Sequence, residues 1–130
     1  MAKVKYIPCD VYKRGVSVFV GTYEELVKWS KEEFTNPDYE DFLKTLEENS
    51  PKGEADCHYD CGSCVVRIEQ FPCTPGEVAA LAHELLHGVF YILGYCGVEY
   101  AYNTSNEAYT YLLEWLMGEA LRMEGYKDVE

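Results

Sequence analysis

The sequence predicts an α+β domain in which a small, mostly antiparallel sheet packs against a central helix and a C-terminal helix. Alternating apolar residues near the N-terminus and again over 64–71 are typical of strands. Apolar residues at helical spacing follow several helix-start signals, and the longest such stretch lies between Thr74 and Tyr95. A chain of 130 residues supports one hydrophobic core, so we expect a single domain over 1–130.

Composition and charge narrow the classes of partner. The chain is 48% hydrophobic and 15% aromatic, which is typical of a folded globular protein. Its formal net charge of −12 repels nucleic acid and anionic lipid, so we expect neither a nucleic-acid nor a membrane partner. The electrostatic field of this negative charge attracts a basic peptide, a basic partner protein or a cation.

The distribution of apolar residues favours a cytoplasmic protein. Residues 1–10 lack the apolar run of a signal peptide, and no segment approaches the ~20 apolar residues of a membrane span. The six cysteines are then expected to be thiols or metal ligands. Secretion by another route would instead allow disulfides.

The first half of the chain is expected to contain one or two strands and two helices. Alternation over 4–20 predicts the strands. Thr22 and Glu25 form a capping-box pattern that begins a helix of about three turns. Asn36 followed by Pro37 repeats the start signal for a second helix.

The second half centres on one helix. A cysteine-bearing segment with a turn at Gly62 and Ser63 leads into a predicted strand over 65–71. Thr74 then combines an N-cap with Pro at N1 and Glu at N3, the strongest helix start in the chain. Residues 78–93 read as a buried helix that is too polar and too short to span a membrane. A last helix is predicted over 104–123.

The central helix carries the motif His83-Glu84-Leu85-Leu86-His87. Residues four apart lie on the same side of a helix, so His83 and His87 are placed to bind one tetrahedral ion. Glu84 is offset by one position and therefore flanks the ion, where a general base takes a proton from the attacking water. This arrangement predicts metal-assisted amide hydrolysis. The competing interpretation is a polar stripe without a metal.

Two families of zinc peptidase differ in the residue that supplies the third metal ligand. The metzincin extension requires Gly and His at positions that hold Phe90 and Leu93 here, so that pattern fails. The gluzincin pattern takes a Glu from the next helix, commonly preceded by Asn, and Asn106-Glu107 fits it. Over about 74–117 the chain resembles a minimal gluzincin and small zincin-like proteins encoded by phages.

The resemblance implies a zincin-like fold and a zinc metallopeptidase that binds Zn²⁺ through His83, His87 and Glu107, with Glu84 as the base. The chain departs from the pattern at Tyr111, where an acid that orients a ligand His is expected. In zincin folds an edge strand pairs with the substrate, and the 65–71 strand is the candidate for that role.

Several assignments stay open at this point. Thr104 to Glu107 also reads as a capping box, so Glu107 has a purely structural alternative, and Glu99 and Cys96 are fallback ligands. Five side chains are candidates to stabilise an oxyanion: His58, Tyr91, Tyr95, Tyr102 and Tyr109. Most of the tyrosines are expected to be packing groups.

The cysteine segment suggests a second metal site. Cys57, Cys61 and Cys64 have the spacing C-x3-C-x2-C, and Cys73 or His58 is available as a fourth ligand. The alternative is a hairpin with unliganded cysteines.

Three functional hypotheses follow from these motifs. The first is a zinc-dependent metallopeptidase, with narrow specificity because a short chain has little material for a second lobe. The second is a non-catalytic, zincin-like metal-binding protein that acts through a peptide or protein partner. The third is a zinc module centred on the cysteines, with no role for the central motif.

Overall fold

The computed structural model describes residues 1–49, 53–60 and 63–129. The α+β prediction is confirmed, since these residues form five strands and four α-helices. The elements are β1 (Lys3–Cys9), β2 (Arg14–Val20), α1 (Tyr23–Glu33), α2 (Glu40–Glu48), β3 (Ala55–Asp60), β4 (Ser63–Ile68), α3 (Pro75–Tyr95), α4 (Asn106–Ala120) and β5 (Lys127–Asp128). Short 3-10 helices lie at Asp10–Tyr12 and Pro37–Tyr39.

The five strands form one mixed sheet in the order β3-β4-β2-β1-β5. Three neighbouring pairs are antiparallel, and β2 pairs with β4 in parallel. The prediction of a mostly antiparallel sheet therefore agrees with the structure. The exception arises because the chain crosses from β2 through α1 and α2 before it returns to the sheet.

Both faces of the sheet are covered by helices, which gives three layers. Alternate strand residues such as Val16 and Val18 pack in one core with the buried faces of α3 and α4. Phe19 and Val65 point to the other face and pack in a second core with α1 and α2. The sequence predicted the α3 and α4 layer, but it did not place α1 and α2 on the opposite face.

The predicted helix starts are present as hydrogen bonds. The Thr74 hydroxyl accepts from the Glu77 amide at 3.1 Å, and the Glu77 carboxylate accepts from the Thr74 amide at 3.0 Å. Thr22 and Glu25 make the same reciprocal pair. The second predicted start, at Asn36, begins a 3-10 helix over Pro37–Tyr39 and not the α-helix itself.

The central helix fills the stretch between Thr74 and Tyr95 that the sequence predicts as helical. It has 21 residues and is long and apolar enough, by length and composition, to cross a membrane. The expectation that it is too short and too polar to do so is therefore wrong. The core helix of a folded domain passes the same test, and one face of α3, which includes Leu85 and Val89, is buried against the sheet.

Helices α3 and α4 are antiparallel neighbours. Gly88 lies over Cys64 at the start of β4, and Glu77 bonds Gln70 just after its end, so α3 runs opposite to β4. Trp115 bonds the Pro8 carbonyl and Lys5 bonds the Glu119 carbonyl, so α4 runs opposite to β1. Since β4 and β1 themselves point in opposite directions, the two helices do as well.

One predicted role for a strand is wrong. The strand predicted over 65–71 is β4, and it is paired on both sides by β2 and β3. Its backbone groups are used within the sheet, so it cannot be the edge strand that pairs with a substrate. The edge strand beside α3 is β3, in a segment for which no strand was predicted. The two-residue β5 was also not predicted.

A buried charge network fixes β3 to β4 on the face toward α1 and α2. The side chain of Arg67 is 1% exposed, and its guanidinium donates to Asp56 at 2.7 and 3.0 Å and to Glu69 at 2.7 Å. His58 contacts the other oxygen of Asp56 at 2.7 Å. Burial alone would raise the pKa of Asp56, but the bonds from His58 and Arg67 outweigh it, and the pKa is lowered.

We expect Asp56→Ala to destabilise the fold by about 3 kcal/mol, because it leaves a buried guanidinium without its main partner. The folded-state pKa of Asp56 lies below the usual value of about 3.9, so its contribution is present above about pH 4 and is lost in acid. Urea unfolding at pH 7 and pH 3 measures both effects. Asp128→Ala, which removes the exposed ion pair with Lys3, is the control and should change little. If the two variants lowered the free energy of unfolding equally, the buried network around Asp56 would not be a special source of stability.

Candidate metal centre

The packing of α3 on the sheet directs His83 and His87 away from the core. Leu81, Leu85 and Gly88 are buried on the sheet side of the helix. Residues two positions from these lie roughly opposite on a helix, so both imidazoles point outward. The side chain of His83 is 69% exposed, and His87 is also exposed. The pair therefore belongs to the outer surface of the α3 and α4 layer.

The two imidazoles are spaced as a metal ion requires. Their Nε2 atoms are 3.3 Å apart. Two nitrogen ligands about 2.0–2.1 Å from a tetrahedral ion are separated by about 3.3–3.4 Å. The same distance suits a hydrogen bond between one protonated and one unprotonated ring nitrogen. The geometry is thus compatible with either a metal ion or a proton between the rings.

Glu84 completes a group of three potential ligands. Its carboxylate and the two imidazoles offer ligand atoms that all lie within 4.8 Å of one another. The Glu84 carboxylate is 3.9 Å from His83 Nε2, and its side chain is only 13% exposed. It lies on the flank of α3 that faces β3, where its charge acts on the Cys57 thiol. The carboxylate is therefore held beside the imidazole pair.

Glu107 is not part of this group. The rings of Phe90 on α3 and Tyr109 on α4 are 5.0 Å apart, so they mark a common level of the two antiparallel helices. His87 precedes Phe90 by three residues and Glu107 precedes Tyr109 by two. At 1.5 Å per residue, they are offset by about 7 Å along the helix axes. The predicted third ligand is thus displaced toward the loop.

The same register places Glu114 level with the histidine pair. It follows Tyr109 by five residues, which puts it about 7.5 Å from the Phe90 level, between the levels of His87 and His83. Glu114 is exposed on α4. Sequence spacing alone did not indicate this residue, because helix register is a tertiary property.

The alternative roles at the start of α4 are resolved in part. Ser105 is the N-cap residue, but its side chain makes no capping bond. Its hydroxyl accepts instead from the Ala101 amide at 2.8 Å and donates to the Glu99 carbonyl. The predicted capping box is therefore absent among the described residues. The fallback ligands Glu99 and Cys96 are exposed and lie outside the metal-ligating group.

Most side chains proposed to stabilise an oxyanion are engaged elsewhere. The Tyr109 hydroxyl donates to the Val98 carbonyl at 2.6 Å, and His58 contacts Asp56. Tyr91 packs against Tyr59, Tyr95 lies under the guanidinium of Arg14, and Tyr102 is 76% exposed in the loop. None of these contacts aims a hydroxyl or imidazole at His83 and His87.

The predicted cysteine site is brought together only in part. Cys57 and Cys64 lie side by side on the face toward α3, with their sulfur atoms 3.8 Å apart. Cys73 is exposed before α3 and donates to the Phe71 carbonyl. Cys61 lies outside the described residues. No group of three metal ligands in the described part of the chain includes a cysteine.

The Cys57 thiol is chemically inert, and the Cys64 thiol beside it is buried. The hydrogen bond with Cys64 is the main cause that raises the pKa of Cys57, and burial adds to it. Burial, with the nearby Asp10, raises the pKa of Cys9 to about 11. A thiol with a raised pKa holds little thiolate and reacts slowly.

We therefore expect Cys73 and Cys96 to react with a maleimide reagent at least ten times faster than Cys57 and Cys64 in the native protein. Mass spectrometry of tryptic peptides identifies the labelled positions, so every cysteine is followed separately. Labelling in denaturant provides the control, where the rates should converge. Rapid native labelling of Cys64 would show that the pair is accessible and contradict the assignment.

No protein-family model matches the sequence, and the comparisons with curated proteins and solved structures found no match. The resemblance to zincins therefore stands on the five-residue motif and on the closeness of His83, Glu84 and His87.

Proposed function

We propose that the protein is a zinc-dependent hydrolase that cleaves amide bonds of a substrate. Its active site is formed by His83, Glu84 and His87. The observation that carries the proposal is the grouping of these three side chains within 4.8 Å. A motif that matched by chance would be free to place the histidines on unrelated rotamers. Here their ring nitrogens have the separation that one tetrahedral ion needs.

The protein residues have distinct roles in this proposal. His83 and His87 hold the ion, and Glu107 is the predicted third ligand. A bound zinc ion supplies Lewis acidity and lowers the pKa of a water to about 7. With zinc bound, Glu84 would accept a proton from the attacking water and would pass it to the leaving amine. Its low exposure supports this role, since a carboxylate shielded from solvent is held in one position.

The charge of the protein favours a basic peptide as substrate. The net charge of −12 attracts cationic segments over long range. The exposed side chains of Leu86 and Phe90 lie next to the histidines on the same helix. A peptide that combines basic and apolar residues therefore complements this surface.

Replacing the base should separate metal binding from catalysis. We expect Glu84→Gln to keep the zinc content of the wild type and to lose at least about 100-fold in peptide hydrolysis, because a general base contributes 10²–10⁴. His83→Ala should lose the metal as well. Zinc is measured by atomic emission after dialysis, and hydrolysis by mass spectrometry of a mixed pool of basic peptides. Equal hydrolysis by wild type and Glu84→Gln would refute the role of Glu84.

The third ligand is tested by a matched pair of variants on α4. If Glu107 binds zinc, Glu107→Gln should weaken zinc affinity by at least about tenfold, whereas Glu114→Gln should not. Competition with a chromogenic chelator measures both affinities. The reverse result would assign the third position to Glu114, which shares the level of the histidines. No effect of either variant would leave zinc with two ligands from one chain.

A second function is favoured by the exposure of the site. The His83 side chain is 69% exposed, which suits a metal-binding protein that contacts a partner through its ion. This alternative shares the ligands but does not use Glu84 as a base. It predicts stoichiometric zinc with no hydrolysis in either the wild type or Glu84→Gln.

A further inference from the structure

The outer face of α3 carries no charged residue. None of its exposed positions is Asp, Glu, Lys or Arg: Pro75, Gly76, Ala79, His83, Leu86, His87, Phe90, Gly94 and Tyr95. The chain as a whole has 11 basic and 23 acidic residues. An uncharged strip along a 21-residue helix stands out on such a surface, and the side chains of Leu86 and Phe90 are 38% and 47% exposed.

The histidine pair lies in the middle of this strip and is an incomplete ligand set. Zinc in proteins takes four ligands in a tetrahedron. His83 and His87 supply two, and among the described residues only Glu84 joins them in the group. Because the imidazoles point outward, the unfilled positions face solvent, where a ligand from another molecule has access.

We propose that a second copy of this chain supplies the missing ligands, so that one zinc ion is shared by His83 and His87 of both copies across a twofold axis. The inference rests on the metal site of the proposed function and adds its regulation. Four imidazoles leave no position for water, so the shared form is inactive and the single chain is the active form.

Charge explains why the partner is a second copy joined at this face. Two chains of net charge −12 repel each other over most of their surface. The outer strip of α3 itself has no charged side chain, and the carboxylates beside it, Glu84 and Glu114, lie near the zinc ion, whose positive charge offsets their repulsion. A twofold axis through the ion places Leu86 and Phe90 of the two copies around the shared ligands, where their apolar surfaces exclude water.

The size of the contact explains why the association depends on the metal. A stable interface buries about 1,600 Å² in total, and a single helix face provides much less. The apolar contact alone is therefore too small to overcome the repulsion. Four zinc–nitrogen bonds supply the additional binding free energy. The dimer should therefore form when zinc binds and dissociate when zinc is removed.

The test is the molar mass and zinc stoichiometry of the full chain, measured by light scattering during chromatography. One chain has a mass of 14.9 kDa. We expect the mass to double as zinc reaches half an equivalent per chain and to return to the monomer value with a chelator. His83→Ala and His87→Ala should remain monomeric at every zinc concentration.

A charge variant separates dimerisation from metal binding. Phe90→Lys introduces like charges that face each other across the axis, and a lysine cannot replace a zinc ligand at neutral pH. We expect it to bind one zinc per chain as a monomer. Thr45→Lys adds the same charge on α2, on the opposite side of the sheet, and should dimerise as the wild type does. Leu86→Lys replaces Phe90→Lys if circular dichroism shows that the latter is unfolded.

The outcomes distinguish this inference from the proposed function. A wild-type monomer with one zinc per chain, or a dimer that persists in chelator, overturns the shared site and leaves the hydrolase untouched. Zinc-independent binding of the wild type to phosphatidylcholine vesicles also overturns it, since the strip would then face lipid. Conversely, a half-equivalent dimer of the wild type, together with no peptide hydrolysis by the wild type at dilutions where light scattering shows only monomer, upholds the shared site and removes the hydrolase.

Discussion

The close approach of α3 to the sheet at Gly88 sets the direction of every other side chain on that helix. A Cβ atom at this position would lie 3.3 Å from the Cys64 sulfur and 3.6 Å from a methyl of Val16. Glycine in a helix interior costs about 1 kcal/mol relative to alanine, and here it lets the helix backbone rest on β4. His87 is the preceding residue, so the contact that holds Gly88 against the sheet also directs the histidines outward.

The rotation of α3 explains why the motif residues differ in environment. Glu84 falls on the flank toward β3 and is shielded, while His83 and His87 fall on the outer face. Metal-assisted hydrolysis needs ligands that hold the ion and a separate carboxylate that acts as the base. The exposed ring nitrogens and the shielded carboxylate suit these two roles. This arrangement is also compatible with a metal that joins two proteins. The difference between the two functions lies in what approaches the outer face, not in how α3 is built.

Local signals in the sequence predicted the parts of the fold that depend on neighbouring residues. Reciprocal caps at Thr22 and Thr74 are recognisable from spacing alone, and both form the expected bonds. The side-by-side placement of His83 and His87 follows from the helical period, which is why it was predictable. The strand Ala55–Asp60 was missed because its alternation is carried by Asp, Cys and His rather than by β-branched residues.

Features that depend on how elements meet were beyond local reasoning. The position of Glu107 relative to His87 depends on where α3 ends and on the register between two antiparallel helices. The spacing along the chain matches a gluzincin, but α3 continues to Tyr95 and α4 begins at Asn106, so Glu107 lies in the first turn, displaced from the motif. Likewise, β4 could not be recognised as an interior strand before its two partners were known.

The missing third ligand and the uncharged outer face bear on one question, which is what completes the coordination of the ion. A ligand from α4 requires the side chain of Glu107 or Glu114 to turn toward the imidazoles. A ligand from a second chain requires no shift, because His83 and His87 on the outer face of α3 are already exposed. Concentration therefore decides between the two, since only the second depends on it. Because the coordination positions that His83 and His87 leave unfilled face solvent, the site can change between a single-chain and a shared form without any rearrangement of the fold.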